Sequence, residues 1–179
     1  MKAVSFQDCP DPKKVRELYE ASFPVEERMP FFIISRKEKG RDLRVWLEGE
    51  ELIGLTYLYH YRDLSYLSYI CVESTYQDEG YGSKILQEIL KEYPQQRIIV
   101  DIEKLDEDAE NAAERERRRQ FYLRNGFQSD EIGYFFYDVD YELLSAHGLI
   151  NEEDWKRLMM KHWGAISLKA KVGKYLPKD

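Results

Sequence analysis

The chain is poor in the residues that anchor several classes of function. Cys9 and Cys71 are its only cysteines, too few for a disulfide framework and not spaced as a metal clip. His60, His147 and His162 show no metal-ligand spacing, so no metal is expected. No apolar run approaches the ~20 residues of a membrane span, and the opening "MKAVSFQDCPDPKK" lacks the apolar core of a signal peptide. A cytoplasmic protein with no membrane partner is the expectation. Positive charge is also in deficit: 27 Lys and Arg against 34 Asp and Glu give 27 − 34 = −7. That balance disfavours neutralising a phosphate backbone, so no nucleic-acid partner is expected. It is compatible with a cationic substrate.

What is present suits one globular domain with an appendage. The 179 residues are 43% hydrophobic and 14% aromatic, enough to bury a core. "KAVSF" is a short strand candidate. Asp11 and Pro12 form an N-cap and N1 pair ahead of Val15, Leu18, Tyr19 and Phe23 at helical spacing. "EERMPFFIISRKEKG" reads as a second, broken helix stopped at Gly40. "DLRVWLEG" and "ELIGLTYLYHY" form a hairpin, and "LSYLSYICVE" is a third strand. "RIIVDIE" reads as a buried strand, and a charged helix ends at Asn125-Gly126. "GYFFYDVDYEL" reads as a last strand. In the tail, Asn151 caps a helix with Trp155, Leu158, Met159, His162 and Trp163 on one face. The expectation is a mixed α/β sheet flanked by helices, with a domain over residues 1–144 and an extension over 145–179. The extension packs on the domain or forms a dimer contact, leaving monomer and homodimer both open.

The most informative stretch is "YICVESTYQDEGYGSKILQEILKEY", residues 69–93. A strand ends at Glu73, and Gly80 and Gly82 immediately precede a helical pattern. A helix N-terminus carries unpaired N–H groups and a partial positive charge. Glycines there let a bulky anion lie against the backbone. Two familiar phosphate motifs fail: Ile85 stands where a dinucleotide fingerprint needs a small residue, and Gly82 is followed by Ser83-Lys84 rather than Lys-Ser/Thr.

The spacing Gln77-Asp78-Glu79-Gly80-Tyr81-Gly82 instead resembles the Q/R-x-x-G-x-G/A signature of the GNAT superfamily of N-acetyltransferases. About forty residues later "FYLRNGF" resembles that family's second landmark, with "RIIVDIE" between them as in the family. The resemblance spans roughly residues 2–140. It implies a mostly antiparallel sheet splayed between its fourth and fifth strands. It also implies acetyl-CoA as co-substrate, its pantetheine arm along Ile70, Cys71 and Val72 and its pyrophosphate on the amides of Gln77 through Ser83. The acceptor would be a small-molecule or peptide amine.

Acetyl transfer needs a neutral amine, a held oxyanion and a proton for the leaving thiolate. The resemblance places Tyr122 as the acid, the alternative being an aromatic packed at a helix end. Glu103, ending its strand, is the first candidate base, equally readable as a solvated strand-end carboxylate, and Glu73, ending the neighbouring strand, is the second. Glu26, Glu27 and Arg28 lie where the family builds its acceptor pocket, though ordinary helix-surface charge explains them too. Arg115, Arg117, Arg118 and Arg119 could include a partner for the CoA phosphates, but interleaved with Glu114 and Glu116 they read as a solvated, salt-bridged helix face. Two further readings remain: a non-catalytic acyl-CoA-binding module on the same fold, and transfer of a larger acyl group.

Overall fold

The computed structural model describes residues 1–174. The strands are β1 (Lys2–Ser5), β2 (Arg41–Glu48), β3 (Glu51–Tyr61), β4 (Leu64–Val72), β5 (Arg97–Glu103), β6 (Gln128–Phe136), β7 (Val139–Ala146) and β8 (Lys171–Lys174). The α-helices are α1 (Pro12–Ser22), α2 (Phe31–Ile34), α3 (Tyr81–Glu92), α4 (Ala112–Arg124) and α5 (Glu152–Trp163). Hydrogen-bonded strand order is β1-β2-β3-β4-β5-β7-β6-β8. β4 and β5 form a parallel pair, registered from Leu64↔Arg97 to Tyr66↔Ile99. The mixed, mostly antiparallel α/β sheet expected from the sequence is the one the chain adopts. The last five residues of the expected extension, 175–179, lie outside the described residues. Among the described residues no helix is long and apolar enough to cross a membrane.

The chain divides into two compact units. The first comprises Met1–His60 and Leu67–Ile89. Asp11 caps α1 by accepting from Lys14 N at 3.1 Å, and Pro12 fills the first helical position, where its missing N–H costs nothing. Val15, Leu18 and Tyr19 turn inward at i, i+3, i+4 spacing and meet Leu43, Val45 and Leu47 of β2 in one cluster with Leu55, Tyr57 and Tyr69. Each such side chain contributes roughly 1.5–3 kcal/mol by leaving water. The expected second helix shrinks to the single turn of α2, and residues 23–30 form a turn and extended backbone. Pro24 and Pro30 interrupt the helical hydrogen-bond ladder on both sides of that segment.

The second unit comprises Tyr61–Tyr66 and Leu90–Asp179, of which residues to 174 are described. Here "GYFFYDVDYEL" is two strands, not one. Tyr137 and Asp138 both take left-handed dihedrals, φ +47° and +63°, and close a two-residue hairpin between β6 and β7. The turn lacks the usual Asn-Gly, which hid it in the sequence. β7 runs on to Ala146, past the expected boundary at 144. α5 starts with a full capping box between Asn151 and Asp154. It buries Trp155, Leu158, Met159 and His162. Trp155 packs against Tyr66 and Tyr134 at 5.3 Å each, and Trp163 stacks on Phe136. β8 pairs antiparallel with β6. Arg97 ties this unit together, meeting Asp63 and Asp154 at 2.7 Å each and donating to Leu149 O at 3.1 Å.

Candidate active site

In the first unit, β4 ends in the half-buried residues Ile70, Cys71 and Val72. A one-turn 3-10 segment, Ser74–Tyr76, follows, capped by Glu73, whose Oε1 accepts from Ser74 N and Oγ at 3.0 Å each. Gln77 reaches back, its Nε2 donating to Val72 O at 3.1 Å. Asp78 and Gly80 then adopt φ +62° and +80°. That left-handed geometry costs glycine nothing and is tolerated by aspartate. α3 begins at once, its first bond running from Lys84 N to Gly80 O at 3.1 Å. The chain thus sweeps through Gln77, Asp78, Glu79, Gly80, Tyr81, Gly82 and Ser83 into a helix N-terminus. Opening-turn amides have no intrahelical acceptor, and the helix dipole adds positive potential there. Chemically, the stretch can hold a phosphate-bearing anion.

The β2–β3 pair is locally irregular. The β2–β3 register shifts between Trp46 and Leu47, and Glu73 N donates to Ile53 O at 2.8 Å. A Cβ at Gly54 would sit 2.3 Å from Cys71 O, so only glycine lets β4 approach this closely. Burial pushes the Cys71 thiol up to about 11, which keeps it a protonated small apolar group rather than a nucleophile.

Residues 23–30 are pinned by tyrosines. Tyr69 OH donates to Glu27 O at 2.8 Å and accepts from Met29 N at 2.9 Å, while Tyr19 OH donates to Met29 O at 3.0 Å. Arg28 donates to Glu20 O at 2.9 Å. Glu26 is exposed. Glu26, Glu27 and Arg28 therefore stand on a braced turn and not on the helix their neighbours suggested.

In the second unit, Tyr122 closes α4 and is 6% exposed. The helix stops as its Asn-Gly pair predicts: Phe127 N bonds Tyr122 O at 3.2 Å and Gly126 takes φ +94°. Burial raises the Tyr122 phenol above its ordinary value, against the pull of Arg118 and with a further push from Asp101. It stays protonated at neutral pH.

Glu103 is not a solvated carboxylate. It meets Arg115 at 3.0 Å and Arg118 at 3.4 Å, and accepts from Asn111 Nδ2 at 3.1 Å. The arginines of α4 are salt-bridged as read, but Arg115, Arg118 and Arg119 pair with the strand residues Glu103 and Glu142 rather than with Glu114 and Glu116 of their own helix. Arg119 grips the fully buried Glu142 through Nε at 2.9 Å and Nη2 at 3.3 Å.

Sequence reasoning missed Asp101. Its oxygens accept from Tyr66 OH at 2.8 Å and Tyr134 OH at 2.5 Å, and burial raises its carboxyl against those two hydrogen bonds. The signal was an acidic residue in the middle of the apolar run "RIIVDIE". Among the described residues, no cluster of three or more His, Cys, Asp or Glu side chains is arranged to hold a metal ion.

A family model described as an acetyltransferase (GNAT) domain matches residues 40–129, half the chain and the whole stretch from β2 through the Tyr122 helix end. The chain belongs to the GNAT acetyltransferase family. Its enzyme class is therefore acyltransferase. Solved structures agree on the fold. A putative GNAT-family acetyltransferase from Bacteroides thetaiotaomicron superposes with a TM-score of 0.73 at 18% identity, covering 92% of this chain and 99% of its own. The ribosomal-protein-S18-alanine N-acetyltransferase from Escherichia coli gives 0.59 at 17%, covering 84% and 96%. An aminoglycoside 6'-N-acetyltransferase complexed with coenzyme A gives 0.62 at 18%, covering 81% and 96%. No curated protein sequence matches this GNAT chain.

Proposed function

We propose that this GNAT enzyme moves an acetyl group from acetyl-CoA to a primary amine by direct transfer. The observation that carries the reading is the passage from β4 through the left-handed residues Asp78 and Gly80 into the N-terminus of α3. A CoA pyrophosphate would accept hydrogen bonds from the main chain of Gln77 through Ser83, and the pantetheine arm would lie along Ile70, Cys71 and Val72. A relative of this fold is complexed with coenzyme A, which supports the same co-substrate here.

In this reading the amine nitrogen attacks the thioester carbonyl carbon. The N–C bond forms, the C–S bond breaks, and the sulfur leaves with its electron pair. Tyr122 donates a proton to that sulfur, its phenol being neutral at the working pH. The nitrogen gives up its proton to a base or to water. Of the two candidate carboxylates, Glu73 is the better base. Its Oε1 is engaged by Ser74, and its Oε2 has no partner among the described residues. Glu103 has its oxygens committed to two arginines and an amide, which suits a residue that orients α4.

The acceptor is an amine, in keeping with relatives that are N-acetyltransferases of an alanine on a ribosomal protein and of an aminoglycoside. Glu26, Glu27 and Arg28, on their braced turn, are proposed as acceptor contacts, and net charge −7 favours a cationic one. The protein is read as cytoplasmic, with residues 145–179 an extension whose α5 covers Tyr66 and Tyr134.

The test is thiol release from acetyl-CoA across a panel of primary amines, with Tyr122→Phe as the variant. Turnover should fall by about 10²–10⁴-fold while acetyl-CoA affinity is kept, since only a hydroxyl is removed. Turnover within about twofold of wild type would remove Tyr122 from the mechanism. Absence of thiol release with every amine, despite acetyl-CoA binding, would favour a non-catalytic acyl-CoA module.

A further inference from the structure

The run Arg36-Lys37-Glu38-Lys39, between α2 and β2, has no part in the transfer chemistry, yet it borders a cavity of about 360 Å³. That volume is at the small end of ligand sites. The floor is apolar, formed by Ile34 and Leu43 at 1% and 5% exposure. One wall is polar and held in place: Ser5 Oγ donates to Gln7 Oε1 at 2.6 Å, and Gln7 Nε2 donates to Ser35 O at 2.8 Å. The turn that completes it is locked. His60 N donates to Gly40 O at 2.7 Å, and Arg41 N donates to Glu38 O at 3.0 Å. Gly40 has φ +84°, and a Cβ there would meet His60 O at 2.9 Å.

The charge of this wall opposes that of the chain. Four cationic side chains, Arg36, Lys37, Lys39 and Arg41, face two acidic ones, Glu38 and Asp42, in a protein of net charge −7. Both acids are already engaged: Asp42 meets Arg44 at 2.7 Å, and Glu38 meets Arg41 at 3.4 Å. Arg41 is anchored by its Nη1, which donates to Ile33 O at 3.2 Å. Arg36, Lys37 and Lys39 have no acidic partner among the described residues. Like charges gathered without counter-charges repel one another, and an anion relieves that cost.

The cavity is separate from the loop at the head of α3. β2 runs from Arg41, opposite Tyr59, to Glu48, opposite Glu51. The bond from Glu73 N to Ile53 O places the end of β4 beside the Glu48 end. The strand between is about 23 Å long at ~3.3 Å per residue.

We propose that this cavity is a second binding site of the protein, taking a small phosphate ester by its dianionic head on Arg36, Lys37 and Lys39. The probe is phenyl phosphate, titrated into the full chain and followed residue by residue by amide NMR. Benzoate and phenol serve as the singly charged and neutral arms. Saturable shifts at Gln7 and Arg36 through Leu43 are expected, with benzoate weaker and phenol weaker still. The double variant Lys37→Ala/Lys39→Ala, at exposed positions, should weaken binding at least about tenfold and leave CoA affinity unchanged. Gly82→Val, which removes the other anion site, should leave these shifts intact, so the two sites stand or fall separately. Shifts confined to Gln77 through Ser83, no saturation at Arg36 through Leu43, equal binding of phenol, or an unaffected double variant would each overturn the proposal.

Discussion

The two compact units of this GNAT enzyme are built on different interiors. In the first, Thr56 is fully buried and bonded to Trp46 Nε1 at 2.9 Å, no acidic or basic side chain is buried among the described residues, and the Tyr19 and Tyr69 hydroxyls reach out to backbone. In the second, Asp130, Glu142, Ser145, Asn125 and His162 are buried, and Asp101 lies between two phenols. The first unit holds its loop by shape: a glycine contact, a bulge and left-handed turns. The second holds its helix ends by charge. Shape is insensitive to pH and salt, whereas buried charge is sensitive to whatever removes its partner.

The largest effect expected from that contrast is in the second unit. Arg119→Ala leaves the Glu142 carboxylate buried without its guanidinium and should cost about 3–5 kcal/mol in denaturant unfolding. Replacing both residues by leucine should recover most of the loss, because an apolar pair needs no counter-charge. A single-variant loss no larger than that of a surface pair, about 0–1 kcal/mol, would break the comparison.

A smaller effect belongs to the first unit. Gly54→Ala places a methyl against Cys71 O, a backbone atom that cannot swing away. The expected loss is about 1–3 kcal/mol, unchanged with pH, together with weaker CoA binding as β4 shifts. Wild-type CoA affinity in this variant would show that the close approach does not position the strand.

The smallest is a pH effect at Asp130. The β6 bulge, with Glu131 at φ +55°, turns its carboxyl inward, where Oδ1 accepts from Ser145 Oγ at 2.6 Å and Ile150 N at 2.8 Å. Burial raises it to about 6, against those hydrogen bonds and Arg97 and with a push from Glu142. A carboxyl whose folded value lies above its unfolded one binds its proton more tightly when folded. Its stabilisation is present at low pH and is lost as pH rises from about 4 to about 6. Asp130→Asn should flatten that slope, by at most about 1.4 kcal/mol per pH unit within the window. An unchanged slope would contradict the raised value.

Local chemistry was legible in the sequence wherever its partners lie within a few residues. The Asp11-Pro12 cap, the Asn151 cap, the Asn125-Gly126 stop and the loop through Gly80 all follow from neighbours along the chain. Long-range pairing was not legible. Glu103 is bonded to residues 8 to 15 positions away, on a helix whose alternating charges imitate a solvated face. Asp101 depends on Tyr66 and Tyr134, 35 and 33 residues distant. The β6–β7 turn was missed because Tyr137-Asp138 carries no glycine signal. The second helix was overread because its apolar spacing outweighed the prolines that confine it to one turn.

The central claim is that the turn entering α3 holds the pyrophosphate of acetyl-CoA, and calorimetric titration of CoA into wild type and Gly82→Val tests it most directly. The variant adds a branched side chain in the first turn of the helix, where the anion would lie against bare backbone. The account predicts saturable binding to wild type and none measurable to a variant that melts as a folded protein. Equal affinity in both would contradict it.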